Sequence, residues 1–355
     1  MYIKNLSLEN FRNYNFENFE FSKGTNIIYG LNGQGKTNII EAIYFFCNGK
    51  SYRTPRDNEV IKFNKEYAKI NLDFFNGKRD NTSQIYISDK KSVKINDIPI
   101  SKLSEIIGMI NLVIFTPDML NLIKQGPGVR RQFIDILISQ LKPYYFKTLI
   151  NYYKVLVQRN NILKSHNKKM YDTLDIWDEK LAEYAVVLNK YRSEIIYMLD
   201  KYTGNIEFGK EKFNLLYQPS IKEDFCDKEI FLKTLKKGFD REIEKGITLL
   251  GPHRDDFDIL LNDKSIKKYG SQGQMRTCVL KLKLAECSII KDTVGNEPIL
   301  LLDDILSELD EERKDFFLNN IKERQIFITC TEKENILNSE SRYFQIENGS
   351  LKRID

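Results

Sequence analysis

Apolar side chains follow three different patterns along this chain of 355 residues. Near the amino terminus, a short, mainly apolar segment at 26–29 precedes a glycine-rich loop, and from Asn38 onward apolar residues recur with the 3.6-residue period of a helix. Near the other end, the run 299–302 is wholly apolar, which is typical of a parallel strand buried on both faces. Between these ends, from about residue 119 onward, apolar residues have helical spacing. The pattern predicts an α/β core that is built from both ends of the chain and interrupted by a helical insert.

A heptad-like seam marks the predicted insert. Apolar and aromatic residues recur there at alternating spacings of four and three, which indicates helix packing rather than recognition. The seam consists of Trp177, Leu181, Tyr184, Leu188, Tyr191, Ile195 and Met198. The segment 201–246 alternates instead like a β-hairpin. We therefore expect two lobes, a discontinuous lobe I at 1–118 plus 247–355 and an inserted, mainly helical lobe II at 119–246.

Composition narrows the possible functions. With 41% hydrophobic residues the chain can form a substantial core, and it has no apolar run long enough to cross a membrane and no signal-peptide pattern. Five scattered cysteines without a C-x-x-C pair and only two histidines argue against a disulfide framework, a zinc site and a Ser-His-Asp triad. The sequence therefore favours a soluble, cytoplasmic protein without a membrane partner. Its net charge of +5 permits nucleic acid as a partner without requiring it.

The loop at 30–37 contains the most specific motif in the chain. It follows the pattern G-x-x-x-x-G-K-[ST] between a strand and a helix, which is the context that a phosphate-binding loop requires. Its residues are Gly30, Leu31, Asn32, Gly33, Gln34, Gly35, Lys36 and Thr37, followed by Asn38. The glycines allow backbone N–H groups to converge on an anion at the positive end of the helix dipole. Lys36 would contact the β and γ phosphates and Thr37 would ligate Mg²⁺, so we expect ATP and magnesium as cofactors.

A second acidic element follows the apolar run near the carboxyl terminus. Asp303 and Asp304 come directly after 299–302, at the carboxyl end of the predicted parallel strand, where ligands bind in open α/β sheets. Asp303 would complete the magnesium shell with Thr37. Asp304 would orient the attacking water, which makes Asp304 and Lys36 the predicted catalytic residues. The alternative is a buried strand with an acidic N-cap for the next helix.

A second loop has the features of an anion-binding helix terminus. Ser271, Gln272, Gly273 and Gln274 open a predicted helix, with Ser271 as its N-cap. They resemble the S-x-G-Q signature of ATP-binding-cassette and SMC-type heads, which closes over the nucleotide held by the partner subunit. The segment 307–310, with Ser307 and Asp310, stands where those heads have the D-loop that contacts the other subunit. The alternative is that the loop only caps a surface helix.

Longer stretches resemble one branch of these heads, the bacterial RecF family of recombination-repair proteins. They are LENFRNY at 8–14, GLNGQGKTNIIEAIYF at 30–45, TPDMLNLIKQGPGVRRQFID at 116–135, LLGPHRDDF at 249–257 and ILLLDDILSELD at 299–310. The resemblance runs nearly end to end. It implies an α/β fold, namely an ABC/SMC/Rad50-like P-loop ATPase head (lobe I) with an inserted, mainly helical lobe II.

The resemblance also implies a function in recombinational repair. Two heads would form an ATP-dependent homodimer, each site combining one subunit's P-loop with the other's signature loop, and the dimer would clamp double-stranded DNA near single-strand gaps and junctions. A weak, DNA-stimulated ATPase activity would then release the DNA. RecR, RecO and RecA would be the protein partners. By position, Arg12 and Asn13 would contact the nucleotide and Arg53 would lie near ATP and DNA, with ordinary ion pairing as the alternative for each arginine.

Several positions depart from the expected pattern. Tyr52 stands where the resemblance implies a histidine. Thr329, Cys330 and Thr331 end the strand where transporters carry a histidine that senses the γ-phosphate, which implies slow turnover. No Q-loop glutamine is evident near 116–118.

A pair of arginines precedes an acidic residue on a predicted helix. Arg130 and Arg131 lie four to five residues before Asp135, at the spacing of an i,i+4 ion pair. A contact with DNA or nucleotide is equally compatible with the sequence.

Two other functions fit parts of the chain. A transporter-type ATPase subunit shares the P-loop and the acidic strand, but it would carry the sensing histidine and a short coupling lobe. A non-hydrolysing nucleotide switch or scaffold is compatible with Asp304, which is shorter than the glutamate of most related heads. A P-loop kinase would leave the signature loop unexplained.

Overall fold

A computed structural model describes residues 1–102, 105–165, 168–209, 211–333 and 341–354. The strands are β1 (Tyr2–Glu9), β2 (Phe16–Glu20), β3 (Thr25–Tyr29), β4 (Ala68–Phe75), β5 (Asp80–Ile87), β6 (Lys91–Ile95), β7 (Ile98–Ile100), β8 (Leu112–Phe115), β9 (Phe213–Gln218), β10 (Asp256–Leu261), β11 (Lys264–Ser265), β12 (Ile299–Asp303), β13 (Ile326–Cys330), β14 (Arg342–Glu347) and β15 (Ser350–Ile354). The helices are α1 (Lys36–Asn48), α2 (Asn121–Lys124), α3 (Pro127–Leu141), α4 (Pro143–Lys164), α5 (Lys168–Tyr171), α6 (Leu174–Gly204), α7 (Lys228–Lys245), α8 (Ile266–Tyr269), α9 (Gln272–Val294) and α10 (Glu311–Asn320). None of the helices in these ranges is both long and apolar enough to cross a membrane.

The chain forms two compact units. Unit 1 comprises Met1–Met119 and Glu286–Asp355, and unit 2 comprises Leu120–Ala285. The first boundary lies within one residue of the predicted one, whereas the second lies well beyond the predicted residue 247. Part of the difference follows from strand pairing, because β9 pairs with β10 and so joins residues 256–261 to the insert. Nothing in the local pattern of either strand identifies its partner.

A mainly parallel sheet in unit 1 positions the glycine loop 30–35. Its strand order is β15-β14-β3-β13-β12-β8, and all neighbours run parallel except the edge pair β14 and β15. Every residue of β12 is buried, as predicted for a strand covered on both faces. Because β13 lies between β3 and β12, the carboxyl ends of all three strands meet at one edge of the sheet.

The second sheet of unit 1 is antiparallel, with the strand order β2-β1-β4-β5-β6-β7. Burial alternates strictly along β4, so one face of this sheet lies in the core. One hydrophobic core connects that face with α1 and with the parallel sheet. Within this core the rings of Phe46 and Phe74 lie 5.4 Å apart. Each such side chain contributes about 1.5–3 kcal/mol to the free energy of unfolding when it is fully buried. The core therefore stabilises the packing of α1.

Helix packing dominates unit 2. The predicted seam lies on α6, where Leu181, Leu188 and Ile195 are buried. The prediction of a β-hairpin at 201–246 was wrong. That segment contributes the single strand β9, which pairs with β10 in the three-stranded order β11-β10-β9, and the helix α7. The cap of α7 was a stronger local signal than the alternation, because the Asp227 carboxylate accepts a hydrogen bond from the Ile230 N–H.

The two arginines of α3 bind partners that are distant in sequence. Arg130 forms a bidentate pair with Asp256, with N–O distances of 2.6 and 2.8 Å, and Arg131 donates to the Asp255 carbonyl at 2.7 Å. The predicted i,i+4 pair with Asp135 was therefore wrong. Asp135 instead accepts from the fully buried Arg192 at 2.9 and 3.0 Å. The helical spacing predicted a local contact, but tertiary packing places partners from distant parts of the chain beside each of these charges.

The stretch 249–257 of unit 2 lies closely against Tyr152. Gly251 has a φ of +126°, and a Cβ at this position would lie 2.6 Å from the Tyr152 hydroxyl oxygen. Next to it, His253 Nε2 lies 3.1 Å from the Thr248 carbonyl oxygen and must donate, so Nδ1 accepts from the Tyr152 hydroxyl at 2.7 Å. Burial lowers the pKa of His253 from 6.5 to about 4, and the imidazole is therefore neutral at physiological pH.

Candidate nucleotide-binding site

The predicted strand, glycine loop and helix are β3, the loop 30–35 and α1. Gly30, Gly33 and Gly35 all have positive φ angles, of 147°, 78° and 114°. A Cβ on Gly30 would lie 2.3 Å from the Ile346 carbonyl oxygen, and a Cβ on Gly35 would lie 2.7 Å from the Asn13 amide group. Gly33 has open space around it. The loop therefore needs glycine at Gly30 for close approach to the backbone, and at all three positions for backbone conformation.

Lys36 holds the loop in a closed curve. Its ammonium group donates to the carbonyl oxygens of Gly30 at 2.6 Å and Leu31 at 2.9 Å. Burial lowers the pKa of Lys36, while the nearby Asp304, Cys330 and Asp303 oppose that shift. The outer rim of the loop, including Leu31, is exposed. The buried Lys36 ammonium group is thus hydrogen-bonded to two backbone carbonyls of a loop whose rim is exposed.

Asp303 is surrounded by hydroxyl groups. Its Oδ1 accepts from the hydroxyls of Thr37 and Thr329, each at 2.9 Å, and its Oδ2 accepts from the Tyr52 hydroxyl at 2.9 Å. The parallel register of β12 and β13 places Thr329 directly beside Asp303. The structure thus joins the predicted pair Thr37 and Asp303. Sequence reasoning noticed Tyr52 and Thr329 only as departures and did not predict their contacts.

Asp304 is exposed and differs from its neighbour in conformation. Its φ is +51°, in the left-handed region that aspartate tolerates better than most residues. Its N–H donates to the Thr329 hydroxyl oxygen at 2.9 Å. The Ser307 hydroxyl donates to the Asp304 carbonyl oxygen at 2.9 Å and lies 3.3 Å from the carboxylate Oδ1. Asp310 is the N-cap of α10 and accepts from the Arg313 N–H.

A buried glutamate organises the predicted arginines. Glu41 on α1 is fully buried, and it accepts from Arg12 at 2.9 and 2.5 Å and from Arg53 at 3.1 Å. The Ser51 hydroxyl also donates to it. The ion-pairing alternative thus describes both arginines in this structure. Sequence reasoning missed Glu41, although a charged residue within the apolar face of 39–43 was a usable signal.

Asparagines connect the arginine cluster to the loop. Arg53 donates to the Asn38 side-chain oxygen at 2.8 Å, and the Asn38 amide donates to the Asn13 side-chain oxygen at 2.8 Å. The Asn13 amide in turn donates to the Gln34 carbonyl oxygen at 2.8 Å. The predicted residues Arg12, Asn13, Asn38 and Arg53 therefore form one network at the start of α1.

The predicted signature residues lie in unit 2, at the start of α9. The Gln274 N–H donates to the Ser271 hydroxyl oxygen at 3.2 Å, and the Ser271 N–H donates to the Gln274 side-chain oxygen at 2.8 Å. This reciprocal pair is a capping box. Ser271 and Gln272 are exposed, and Gly273 is partly buried. The predicted N-cap is therefore present, and the signature residues stand at the amino end of a helix of 23 residues.

The whole chain matches proteins of one family. A family model described as the RecF/RecN/SMC N terminal domain covers residues 2–351. The DNA replication and repair protein RecF of Ruminiclostridium cellulolyticum is 45% identical to this chain over an alignment of 368 positions, which covers 99% of each protein. The chain belongs to the RecF family. The predicted resemblance to RecF is confirmed.

Solved structures confirm the predicted fold class. The structure described as the recombination mediator protein RecF-ATP in the RecFOR pathway matches with a TM-score of 0.92 at 35% identity, covering 100% of this chain and 97% of that chain. An SMC head bound to the C-winged helix domain of ScpA matches with a TM-score of 0.58 at 18% identity, covering 100% of this chain and 97% of that chain. The second likeness concerns the fold alone. The fold is that of RecF and SMC heads, an α/β ATPase fold of the ABC type.

Proposed function

We propose that this RecF-family protein binds ATP and magnesium at the glycine loop, and that two copies close around two nucleotides to clamp double-stranded DNA during recombinational repair. The observation that carries the proposal is the 2.9 Å contact between Thr37 and Asp303. These residues come from opposite ends of the chain, and the parallel sheet brings them together at the edge where α/β proteins bind ligands.

The side chains at this edge fit a magnesium nucleotide. Hydroxyl and carboxylate oxygens are the ligands that Mg²⁺ prefers, and Thr37 and Asp303 supply one of each. When bound, the cation would supply charge neutralisation on the phosphates. Lys36 would bind the phosphates through its ammonium group, because its present acceptors are two loop carbonyls that a phosphate chain can replace. A relative described as RecF-ATP supports ATP as the nucleotide.

Asp304 is the proposed catalytic residue. It is exposed beside the buried Asp303. Its negative charge acts to raise the pKa of Lys36. Its carboxylate would orient the attacking water and accept a proton from it. We propose that hydrolysis is slow and stimulated by DNA. A non-hydrolysing switch is the rival function, and single-turnover hydrolysis with and without DNA separates the two.

The proposed dimer uses the second anion-facing terminus. Ser271, Gln272, Gly273 and Gln274 of one subunit would close over the nucleotide of the other, and Ser307 and Asp310 would contact the partner subunit. The exposed position of Ser271 at the amino end of α9 supports this role. Arg53 is the proposed DNA contact. RecR and RecO are proposed protein partners, since a relative is described as acting in the RecFOR pathway. RecA is a further proposed partner, which the family resemblance implies.

Light scattering on the Asp304→Asn variant tests the proposal. We expect a monomer without nucleotide and a dimer with ATP and magnesium, because hydrolysis would be blocked and the closed state would accumulate. Lys36→Ala in the same background is the matched control and should remain monomeric. A mass that does not change with ATP would refute the dimer. ATP binding would be measured separately by equilibrium dialysis.

DNA binding is tested through its salt dependence. A clamp that follows the phosphate backbone should lose affinity steeply between about 50 and 200 mM salt, by about 10³-fold or more if it makes six or more phosphate contacts. Gapped and fully paired duplexes of equal length show whether junctions are preferred. Binding that does not respond to salt would contradict a phosphate-following clamp.

A further inference from the structure

The Thr329 hydroxyl lies between the two aspartates of the candidate site. It donates its only hydrogen to Asp303 Oδ1 at 2.9 Å and accepts the Asp304 N–H at 2.9 Å. The side chain is buried, with 2% exposure, so solvent does not compete for these bonds. One hydroxyl group therefore fixes the proposed metal ligand and the backbone of the proposed catalytic residue at the same time.

The hydrogen bonds on Asp303 determine which of its lone pairs stay available. A carboxylate has about four acceptor positions, two on each oxygen. Thr37 and Thr329 occupy both positions on Oδ1, and Tyr52 occupies one on Oδ2. The remaining acceptor position is therefore on Oδ2. Since Thr37 donates its hydrogen to Asp303, its own oxygen lone pairs are directed away from the carboxylate and are available to a cation.

Tyr52 can serve only as a donor in this arrangement. Its hydroxyl donates to Asp303 Oδ2 at 2.9 Å, because an ionised carboxylate oxygen can only accept a hydrogen bond. Its ring packs edge-on against Tyr44 at 5.1 Å between centroids, and this contact limits the movement of the hydroxyl. Asp303 is thus held at both oxygens by groups whose own positions are restrained.

Backbone conformation makes the Thr329 contact more important. Asp304 has a φ of +51°, which costs free energy for a residue with a Cβ and persists only where its surroundings enforce it. The hydrogen bond from its N–H to Thr329 is one such restraint, and the Ser307 hydroxyl on its carbonyl oxygen is another. Loss of the Thr329 hydroxyl would remove the acceptor of the Asp304 N–H.

We propose that Thr329 and Tyr52 are positioning residues, and that Thr329 couples the orientation of the Asp303 carboxylate to the backbone conformation of Asp304. This inference rests on the proposed function, because it assigns both aspartates to ATP hydrolysis. Thr329 stands on the strand end where transporter heads carry a histidine. Its side chain is buried and contacts both aspartates, so it would act through them.

Three variants test the coupling. Thr329→Val keeps the branched shape and removes the hydroxyl, Thr329→Ser keeps the hydroxyl and removes the methyl group, and Tyr52→Phe removes the donor to Oδ2. Removal of a residue that hydrogen-bonds a metal ligand typically reduces metal affinity or activity by about 10–100-fold. The first readout is the magnesium concentration that gives half-maximal binding of a fluorescent ATP analogue, which requires no hydrolysis. The second is the single-turnover hydrolysis rate at saturating ATP and magnesium.

The expected pattern separates positioning from general damage. Thr329→Val should need about 10-fold more magnesium and should hydrolyse ATP at least about 10-fold more slowly, with ATP saturation otherwise preserved. Thr329→Ser should restore both values, and Tyr52→Phe should change the magnesium requirement more than the rate. Wild-type behaviour of Thr329→Val, or equal defects in the Val and Ser variants, would overturn the coupling.

Two further outcomes keep the inference distinct from the proposed function. If Thr329→Val does not fold, as judged by thermal unfolding, Tyr52→Phe carries the test, and an unchanged magnesium requirement in that variant refutes the positioning of Asp303. If the wild-type protein shows no magnesium-dependent ATP binding, the proposed function fails. If the wild-type protein binds and hydrolyses ATP while the hydroxyl variants match it, only the positioning inference fails.

Discussion

Replacement of the buried Glu41 by glutamine should destabilise unit 1 measurably. The Glu41 side chain is inaccessible to solvent and accepts from Arg12, Arg53 and Ser51. Glutamine has almost the same shape, so the change removes the negative charge and leaves one amide group facing arginine donors. Two arginines would then share a site without a counter-ion.

The contacts set the magnitude. Breaking a buried ion pair by removing one partner costs about 3–5 kcal/mol, and each hydrogen bond to a charged group contributes about 1.5–3 kcal/mol. The Arg12 and Arg53 side chains are 21% and 42% exposed, so both can regain some contact with water. The lower end of the range therefore applies, at about 3 kcal/mol. For a domain of about 150–250 residues this corresponds to a decrease in Tm of about 6–12 °C.

Thermal unfolding followed by circular dichroism measures the effect. Asp80→Asn is the matched control, because its ion pair with Lys4 is exposed and should contribute nothing measurable. Glu41→Asp tests geometry, since it keeps the charge and shortens the side chain. A Glu41→Gln variant with the same Tm as the wild-type protein would refute the argument that this carboxylate stabilises unit 1.

Three further predictions concern other parts of the chain. Arg192→Met should destabilise unit 2 by about 3–5 kcal/mol, because it removes the buried arginine that pairs with Asp135 and Asp255; an unchanged urea midpoint would contradict this. The folded-state pKa of His253, about 4, lies below its unfolded value of 6.5, so the unfolded chain binds more protons between these values, and stability is full above pH 6.5 and declines as the pH falls towards 4. NMR titration of the His253 ring, assigned with a His253→Gln variant, should show a midpoint near pH 4, and a midpoint near 6.5 would refute the assignment of a buried neutral imidazole. Gly30→Ala should abolish ATP binding, whereas Gly33→Ala, which has open space around it, should only weaken it; equal effects in equilibrium dialysis would contradict the close approach at Gly30.

Part of the candidate site could be predicted because its chemistry is local. The glycine spacing around Lys36 encodes a loop conformation and a helix start within a few residues, and the apolar run before Asp303 encodes a buried strand. The capping box of Ser271 and Gln274 is equally local, since both partners lie in one helical turn. These features depend on short-range sterics and hydrogen bonding, which the order of residues specifies directly.

Other features depend on which distant segments meet. Glu41 looked like one charge on an apolar helix, and its importance became visible only when Arg12 and Arg53 were placed around it. Thr329 gained its role from the parallel register that sets it beside Asp303. No spacing rule within a strand or helix predicts such a neighbour.

The sequence by itself determined the α/β class, the helical insert, the phosphate-binding loop and the acidic strand, because periodicity and turn chemistry act over a few residues. The tertiary structure alone decided where unit 2 ends, which carboxylates the buried arginines bind and how hydroxyl groups surround Asp303. Those outcomes follow from strand pairing and from the cost of leaving a buried charge without a partner. Both act between residues that only folding brings together.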